Sequence, residues 1–386
     1  MESGPYPGVP LLTDLTPPAR SAGLISVVLA GRIVRRSGKP GTKGRPPAPG
    51  CSVRRASGPE YSDAMPARRT IGVDIGGTKL LAGMVGPGLE VHHRAQRTVA
   101  GLDQPALLDM MVDAVEELRQ AAGVDPLAVG FGVPCLMDHR TGRALMSVNL
   151  PLANVPLADV MAERLGLPAF ADNDANVATL AEHRAGAARG AREVVMLTVG
   201  TGIGGGLILR GELYHGAIGA GAELGHTVID ENGPPCQGNC PNHGCVESLA
   251  SGTALAREAL RIARERPQSG LGAALAAGRE LAGPLVTELA HDGDAAATEV
   301  LALVGTRLGV AIASFANIFN PEVVVIGGGV VGAGELLLAP VRAEVKARAL
   351  PPTRDSVRVE GAAFGVEAGM IGAALLAFDG VLKDTP

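Results

Sequence analysis

Apolar residues in this chain gather in short runs that stop at glycine pairs, and between those runs they recur at helical spacing. The run from Arg69 to Ile75 predicts a strand that ends at Gly76-Gly77, and after Thr78 and Lys79 a second run, Leu80 to Val85, ends at Gly86-Pro87-Gly88. Strand, glycine turn and strand make a hairpin. Leu107, Leu108, Met111, Val115 and Leu118 are spaced by three and four, which predicts a helix over 107–121. A short buried strand follows at 129–133, a short helix at 158–165 and a strand around 169–171. The order β-β-α-β-α-β describes a small α/β lobe.

The hairpin pattern then returns. Val194 to Val199 predicts a strand, the glycine-rich stretch 200–206 its turn, and Leu207 to Leu209 the start of the way back. One device used twice points to two lobes on related plans, with a cleft between them. Downstream, Val304, Leu308, Ala311, Ile312, Phe315 and Phe319 line one face of a long helix that ends at Asn320-Pro321. The strand Val323 to Ile326 runs from there into Gly327-Gly328-Gly329, and an Ala-rich last helix over 366–378 is expected to pack back on the first lobe. The expected division is 66–185 for the small lobe, completed by a helix over 366–380, and 186–365 for the large one.

Composition narrows the class. Of 386 residues 46% are hydrophobic but only 2% aromatic, with no Trp, so the core is built from Ala, Val, Leu and Ile, which suits buried parallel strands. A formal net charge of −5 points away from nucleic acid and toward a small-molecule substrate. Residues 1–65 are rich in Pro, Gly, Ser and Arg without sustained periodicity, and are expected to be a disordered extension or a misassigned start ahead of Met65. The apolar run Ala22 to Ala30 is too short for a bilayer, and Glu2 and Asp14 stand where a signal peptide carries positive charge, so a cytoplasmic protein is expected.

Three glycine turns leaving apolar strands suit phosphates, because only Gly lets backbone amides approach closely and turn inward. Asp74 at the end of the first strand is placed to hold Mg²⁺ through water, with Thr78 and Lys79 as donors to phosphate oxygens. Gly200-Thr201-Gly202-Ile203-Gly204-Gly205 fits G-x-G-x-x-G, but a strand rather than a helix follows, which argues against a dinucleotide site. Gly76-Gly77-Thr78-Lys79 lacks the spacing of a Walker sequence.

Cys236, Cys240 and Cys245 lie in a Gly, Pro and Asn-rich loop that a structural Zn²⁺ would order, with His226 or His243 as fourth ligand. The segment Asp172-Asn173-Asp174-Ala175-Asn176 follows a strand and opens a helix. One polar residue there suits a helix cap; the rest suit a sugar and a general base, with Asp174 as the base. Glu223, His226 and Glu247 are the other groups expected to face sugar, Glu247 being fixed by the metal loop.

These residues resemble the ROK family of repressors and sugar kinases, within the actin, Hsp70 and hexokinase (ribonuclease H-like) fold. The resemblance runs from about Arg69 to near the end. Asp74-Ile75-Gly76-Gly77-Thr78-Lys79 is similar to the family's first phosphate hairpin, Thr198 to Gly206, with Gly200, Thr201 and Gly202, to the second, and Gly327, Gly328 and Gly329 to the adenosine motif. Asn173-Asp174-Ala175-Asn176 resembles the catalytic segment, which implies Asp174 as general base and Asn173 as sugar ligand. Glu223 and His226 match the Glu-x-Gly-His motif, Glu247 the sugar ligand after the last Cys, and Asn149-Leu150-Pro151 a nearby sugar stretch. The resemblance therefore favours His226 as fourth zinc ligand and implies ATP with Mg²⁺, a hexose, first of all glucose, and a homodimer or a dimer of dimers.

Two positions depart from the family. Three residues separate Cys236 from Cys240 where the family has one, which makes Cys236 the weakest of the expected ligands. Cys135 replaces the Gly that usually follows Gly132-Val133-Pro134, beside the sugar segment. N-acetylmannosamine or another hexose is the alternative acceptor, and polyphosphate the alternative donor. The rival from another class is a sugar-responsive repressor, but residues 1–65 lack the periodicity and apolar core of a winged helix-turn-helix.

Overall fold

The computed structural model of the protein describes residues 69–147 and 150–383. The expectations for 1–65 and for Asn149 lie outside the described residues.

The first sheet begins as an antiparallel meander of β1 (Thr70–Ile75), β2 (Lys79–Val85) and β3 (Val91–Thr98). Helix α1 (Gln104–Ala122) leads to β4 (Val129–Val133), parallel to β1. A small antiparallel sheet of β5 (Cys135–Asp138), β6 (Arg143–Ser147) and β7 (Ala153–Val155) comes next. Then α2 (Leu157–Leu165) leads into β8 (Ala169–Asn173) and directly into α3 (Asp174–Ala185). The first sheet has the order β3-β2-β1-β4-β8.

The second sheet repeats that plan. Its meander is β9 (Val194–Val199), β10 (Ile203–Leu209) and β11 (Glu212–Leu213). A helical region follows, made of α4 (Val246–Ala250), α5 (Gly252–Glu265), α6 (Gly270–Ala276), α7 (Gly283–His291) and the long α8 (Ala295–Phe319). Strand β12 (Val323–Gly327), helices α9 (Glu335–Arg348) and α10 (Thr353–Ser356), strand β13 (Arg358–Gly361) and helix α11 (Ala368–Lys383) complete the chain. The order β11-β10-β9-β12-β13, with β12 parallel to both β9 and β13, matches the first sheet strand for strand. This is the two-lobed α/β architecture that the repeated hairpin predicts.

Three differences from the sequence reading have physical causes. Strand β3 escaped it because only Ala95 is buried, while His92, Arg94 and Arg97 hold the open edge in water. The β5–β7 meander escaped it because its strands are short and half-exposed. Strand β10 begins at Ile203, inside the glycine run, so Gly204 to Gly206 belong to the sheet rather than to the turn. A Cβ at Gly204 would come 2.9 Å from the Ala175 methyl, and one at Gly206 would overlap Thr179. Those glycines let α3 lie against β10, a packing role and not a phosphate-binding one.

Caps set the helix boundaries. Asp103 Oδ1 accepts from the Ala106 amide at 2.9 Å and Pro105 sits in the first turn, so α1 starts three residues before its first periodic apolar position. Asp294 opens α8 in the same way, accepting from Ala297 N at 2.8 Å, and Asn320 closes it in the left-handed conformation, φ 46°.

The last helix returns across the first sheet. Backbone meets backbone there: a Cβ on Gly72 would overlap the Met370 carbonyl, and one on Gly130 the Ala373 carbonyl. Thr70, fully buried, donates its hydroxyl to Ala374 O at 2.9 Å. On its other side Gly372 abuts the Val177 carbonyl of α3. Helix α3 thus touches β10 on one side and α11 on the other, and what it presents at its N-terminus is fixed from both. Among the described residues two helical stretches are long and apolar enough to cross a membrane, Ala295–Phe319 and Gly365–Lys383, and both are mostly buried.

Candidate active site

Strand β8 passes into α3 without a loop, and the junction carries Asp172, Asn173 and Asp174. Asn173 is the cap: its Oδ1 accepts from Ala175 N at 2.9 Å and from Asn176 N at 3.2 Å. Its amide donates to Cys135 O at 3.3 Å. Capping by Asn173 leaves Asp174 free to face the site, where its Oδ1 accepts from the Ala175 amide at 2.9 Å.

Asp174 lies in a line of carboxylates. Burial pushes its pKa up to about 6, against the pull of the Ala175 amide, and the charge of Glu223 raises it further. Asp74, at the end of β1, is pushed up to about 8, first by burial and then by Asp174. Gly369 of α11 leaves room for the Asp74 carboxylate, which any Cβ there would overlap. Glu223 is raised by burial and by Glu247, while His226 pulls it down. Asp174 is ionised at neutral pH, whereas Asp74 ionises there only when a cation or hydrogen-bond donors enter beside it. A metal-nucleotide and a polyhydroxylated substrate supply both, so Asp74 fits the role of holding Mg²⁺.

The glycine turns surround this line. Gly76 N donates to Lys79 O at 2.7 Å, closing the β1–β2 turn with Gly77, Thr78 and Lys79 exposed. In the second hairpin Gly200 N donates to Gly202 O at 2.9 Å, and the turn carries exposed Thr201 just past Thr198 and Val199 of β9. Gly252 N at the start of α5 donates to Gly200 O at 2.7 Å, which braces that turn from behind. Gly328 has φ 83° and abuts the Val199 backbone, so the third turn, Gly327 to Gly329, stands beside the second.

Glu247, at the start of α4, is tied through both carboxylate oxygens. Its Oε2 accepts from Ile203 N at 2.8 Å, and its Oε1 lies 3.8 Å from Cys236 Sγ. It therefore joins the cysteine loop to the second phosphate turn. Gln237 of the same loop reaches Ser251 Oγ at 3.1 Å and Thr201 O at 3.4 Å.

One ligand atom from each of His226, Cys236, Cys240 and Cys245 lies within 4.8 Å of the others. Tetrahedral zinc with ordinary Zn–S and Zn–N bonds needs ligand-to-ligand edges of about 3.3–3.8 Å. The observed pairs, 3.5 Å from Cys236 Sγ to His226 Nδ1 and 3.9 Å from Cys240 Sγ to Cys245 Sγ, need little contraction. His226 rather than His243 completes the set, and Cys236 stands within it despite its unusual spacing. The extra residues between Cys236 and Cys240 are taken up by a turn in which Cys240 N donates to Gln237 O at 3.4 Å. With Nδ1 toward the thiols, His226 turns Nε2 toward Glu223, whose Oε2 lies 3.9 Å away. Metal analysis of the purified protein should give about one zinc per chain, and Cys236→Ser should retain much less; an unmutated protein free of zinc would exclude the metal.

Cys135, the other departure, packs its side chain into the hydrophobic core of the first lobe, and burial raises its thiol pKa to about 12. It offers the site only its carbonyl. The sequence reading named Asp172 only as part of its segment and missed His215, since a lone His after a short edge strand carries no signal in one dimension.

Residues 70–379 match the ROK family. The chain belongs to that family. Its ROK relatives include a protein named glucokinase from Thermotoga maritima, 38% identical over 313 residues, 80% of this chain and 97% of that protein. Another named glucokinase, from Halalkalibacterium halodurans, is 36% identical over 80% of this chain and 94% of its own length. Among solved structures, a ROK family glucokinase from Streptomyces griseus in complex with glucose and AMPPNP superposes with a TM-score of 0.74 at 33% identity, covering 81% of this chain and 99% of that one.

Proposed function

We propose that this chain transfers the γ-phosphoryl group of ATP to a hydroxyl of glucose, giving glucose 6-phosphate and ADP. The observation that carries the reading is Asp174: a carboxylate freed from capping by Asn173 and raised, by burial and then by the charge of Glu223, to a pKa of about 6. It is ionised at neutral pH yet basic enough to accept a hydroxyl proton.

In this mechanism Asp174 takes the proton of the sugar O6 hydroxyl as that oxygen attacks the γ-phosphorus in line. The bond from the γ-phosphorus to the β,γ-bridging oxygen breaks and ADP departs. The amides around Gly76 to Lys79 and Gly200 to Gly202 hold the phosphates, and Gly327 to Gly329 border the adenosine. Mg²⁺ arriving with ATP neutralises phosphate charge, and Asp74 would hold it through water. Glu223, His226, Glu247 and the Asn173 amide form the sugar wall, with a zinc ion bound by His226, Cys236, Cys240 and Cys245 setting its shape. The proposed partners are a sugar and ATP, and the proposed assembly is a dimer or a dimer of dimers.

A coupled ADP-release assay with glucose, N-acetylmannosamine, N-acetylglucosamine, mannose and fructose tests the reading, with polyphosphate in place of ATP as a second donor. Glucose with ATP should give the highest kcat/KM. Zinc-loaded protein that turns over none of the five would sink it.

A further inference from the structure

Asp172 is 3% exposed and binds in three directions. Its Oδ1 accepts from Asn173 N at 2.7 Å and from Asn176 Nδ2 at 3.0 Å, both in the segment that carries the base. Its Oδ2 faces His215 Nε2 at 2.6 Å, across the sequence, from the loop that follows β11 of the second sheet. His215 in turn stacks on His139, beyond the end of β5, with ring centroids 4.4 Å apart and planes 10° from parallel. The stack fixes the plane of the imidazole, and the carboxylate fixes the direction of its N–H.

His215 also closes the loop that leads to the sugar wall. Its carbonyl accepts from Gly221 N at 2.9 Å, so residues 215–221 form a ring whose exit lies two residues before Glu223. Gly219, at φ 84°, abuts the Met137 carbonyl of β5, which seats the ring on the first lobe. The side chain of His215 is the hydrogen-bonded tie between this ring and the catalytic segment.

We infer that Asp172 and His215 are positioning residues for the acceptor sugar: Asp172 holds His215 and the start of α3 in one frame, and so sets the distance between the Glu223 wall and the Asp174 base. The inference rests on the proposed sugar-kinase reading. A misplacement of about 1 Å between such groups costs up to about 100-fold in rate, whereas the second glycine turn is braced separately, by Gly252 and Glu247.

The test compares the unmutated enzyme with His215→Phe, His215→Ala and His215→Gln. Phe keeps a ring on His139 and has no donor, Ala removes both, and Gln restores a donor near the position of Nε2. Phe and Ala should lower kcat/KM for glucose by about 10-fold or more and leave KM for ATP within about twofold. His215→Gln should recover most of the loss, and Asp172→Asn combined with His215→Phe should cost scarcely more than either alone. If Ala fails to fold, Phe carries the comparison. Equal losses for glucose and ATP, no loss in Phe, or no recovery in Gln would overturn the inference. Absence of turnover in the unmutated enzyme would instead strike the kinase reading.

Discussion

Asp174→Ala is expected to fold, bind glucose weakly and lose about 10²–10⁴-fold in kcat, the contribution of a positioned general base. The fold should survive because Asn173, not Asp174, caps α3, and because α3 is held along its length by Thr179 against β10 and by Val177 against α11. The loss belongs in kcat, since the proton is transferred in the transition state rather than on binding. The pH dependence follows from the same carboxyl. With a pKa of about 6, Asp174 is protonated and idle in acid, so turnover of the unmutated enzyme should rise as pH increases through about 6 and level off above it.

The stability consequence has the opposite sign. A carboxyl whose pKa is higher folded than unfolded binds its proton more tightly in the native state. The protein therefore loses stability as pH rises from the ordinary aspartate range through about 6, by up to about 3 kcal/mol once the native carboxyl is ionised. Asp174→Asn, neutral throughout, should match the parent's melting temperature near pH 4 and equal or exceed it at pH 7.5 without ligands. Kinetics and calorimetry on the same preparations separate the outcomes: an inactive variant that is also less stable at pH 7.5 would mean that Asp174 is a structural residue.

Gly130→Val should be the most damaging substitution for stability among those considered. Strand β4 lies next to β1 at the centre of the first sheet, and α11 crosses it so closely that a Cβ at 130 would overlap the Ala373 carbonyl. Backbone cannot yield as a flexible side chain can, so the helix must lift off or the strand must bend. Overpacking of a well-packed core costs about 1–3 kcal/mol, and lifting α11 would also uncover Thr70, Met370 and Ala374, so a loss of about 4 kcal/mol or more is expected. Denaturant unfolding should show it as a large fall in midpoint. Gly123→Ala offers a contrast: that glycine ends α1 at φ 64° with open space around it, so only backbone strain is introduced, costing about 1 kcal/mol. Equal effects at the two sites would show that the contact with α11 is not tight.

Much of the site could be read in one dimension because its parts are local. A phosphate turn is a few successive residues: Gly76 to Lys79 and Gly200 to Gly202 each close through a hydrogen bond two or three residues long. The cap and the base are neighbours, Asn173 and Asp174, and the zinc ligands on the loop fall within ten residues of one another apart from His226. The repeated strand and glycine pattern likewise reported one sheet plan used twice, since hydrophobic runs bounded by turns survive in any sequence that folds this way.

What the chain itself determined, then, was the repeated sheet plan, the kind of chemistry, and a set of candidate residues to carry it. Tertiary structure alone decided what those residues do for each other. The glycines of β10 read as part of the second turn and proved to be strand positions where α3 approaches the sheet, because the need for a missing Cβ is set by a partner distant in sequence. Glu247, expected from the sequence to face sugar, also joins the cysteine loop to the second glycine turn through Ile203. Asp172, His215 and His139 carried no common signal, yet they meet at 2.6 and 4.4 Å where two lobes adjoin. The physical reason is the same in each case: periodicity and turn chemistry act over a few residues, whereas close approach, burial and charge coupling depend on which surfaces meet after folding.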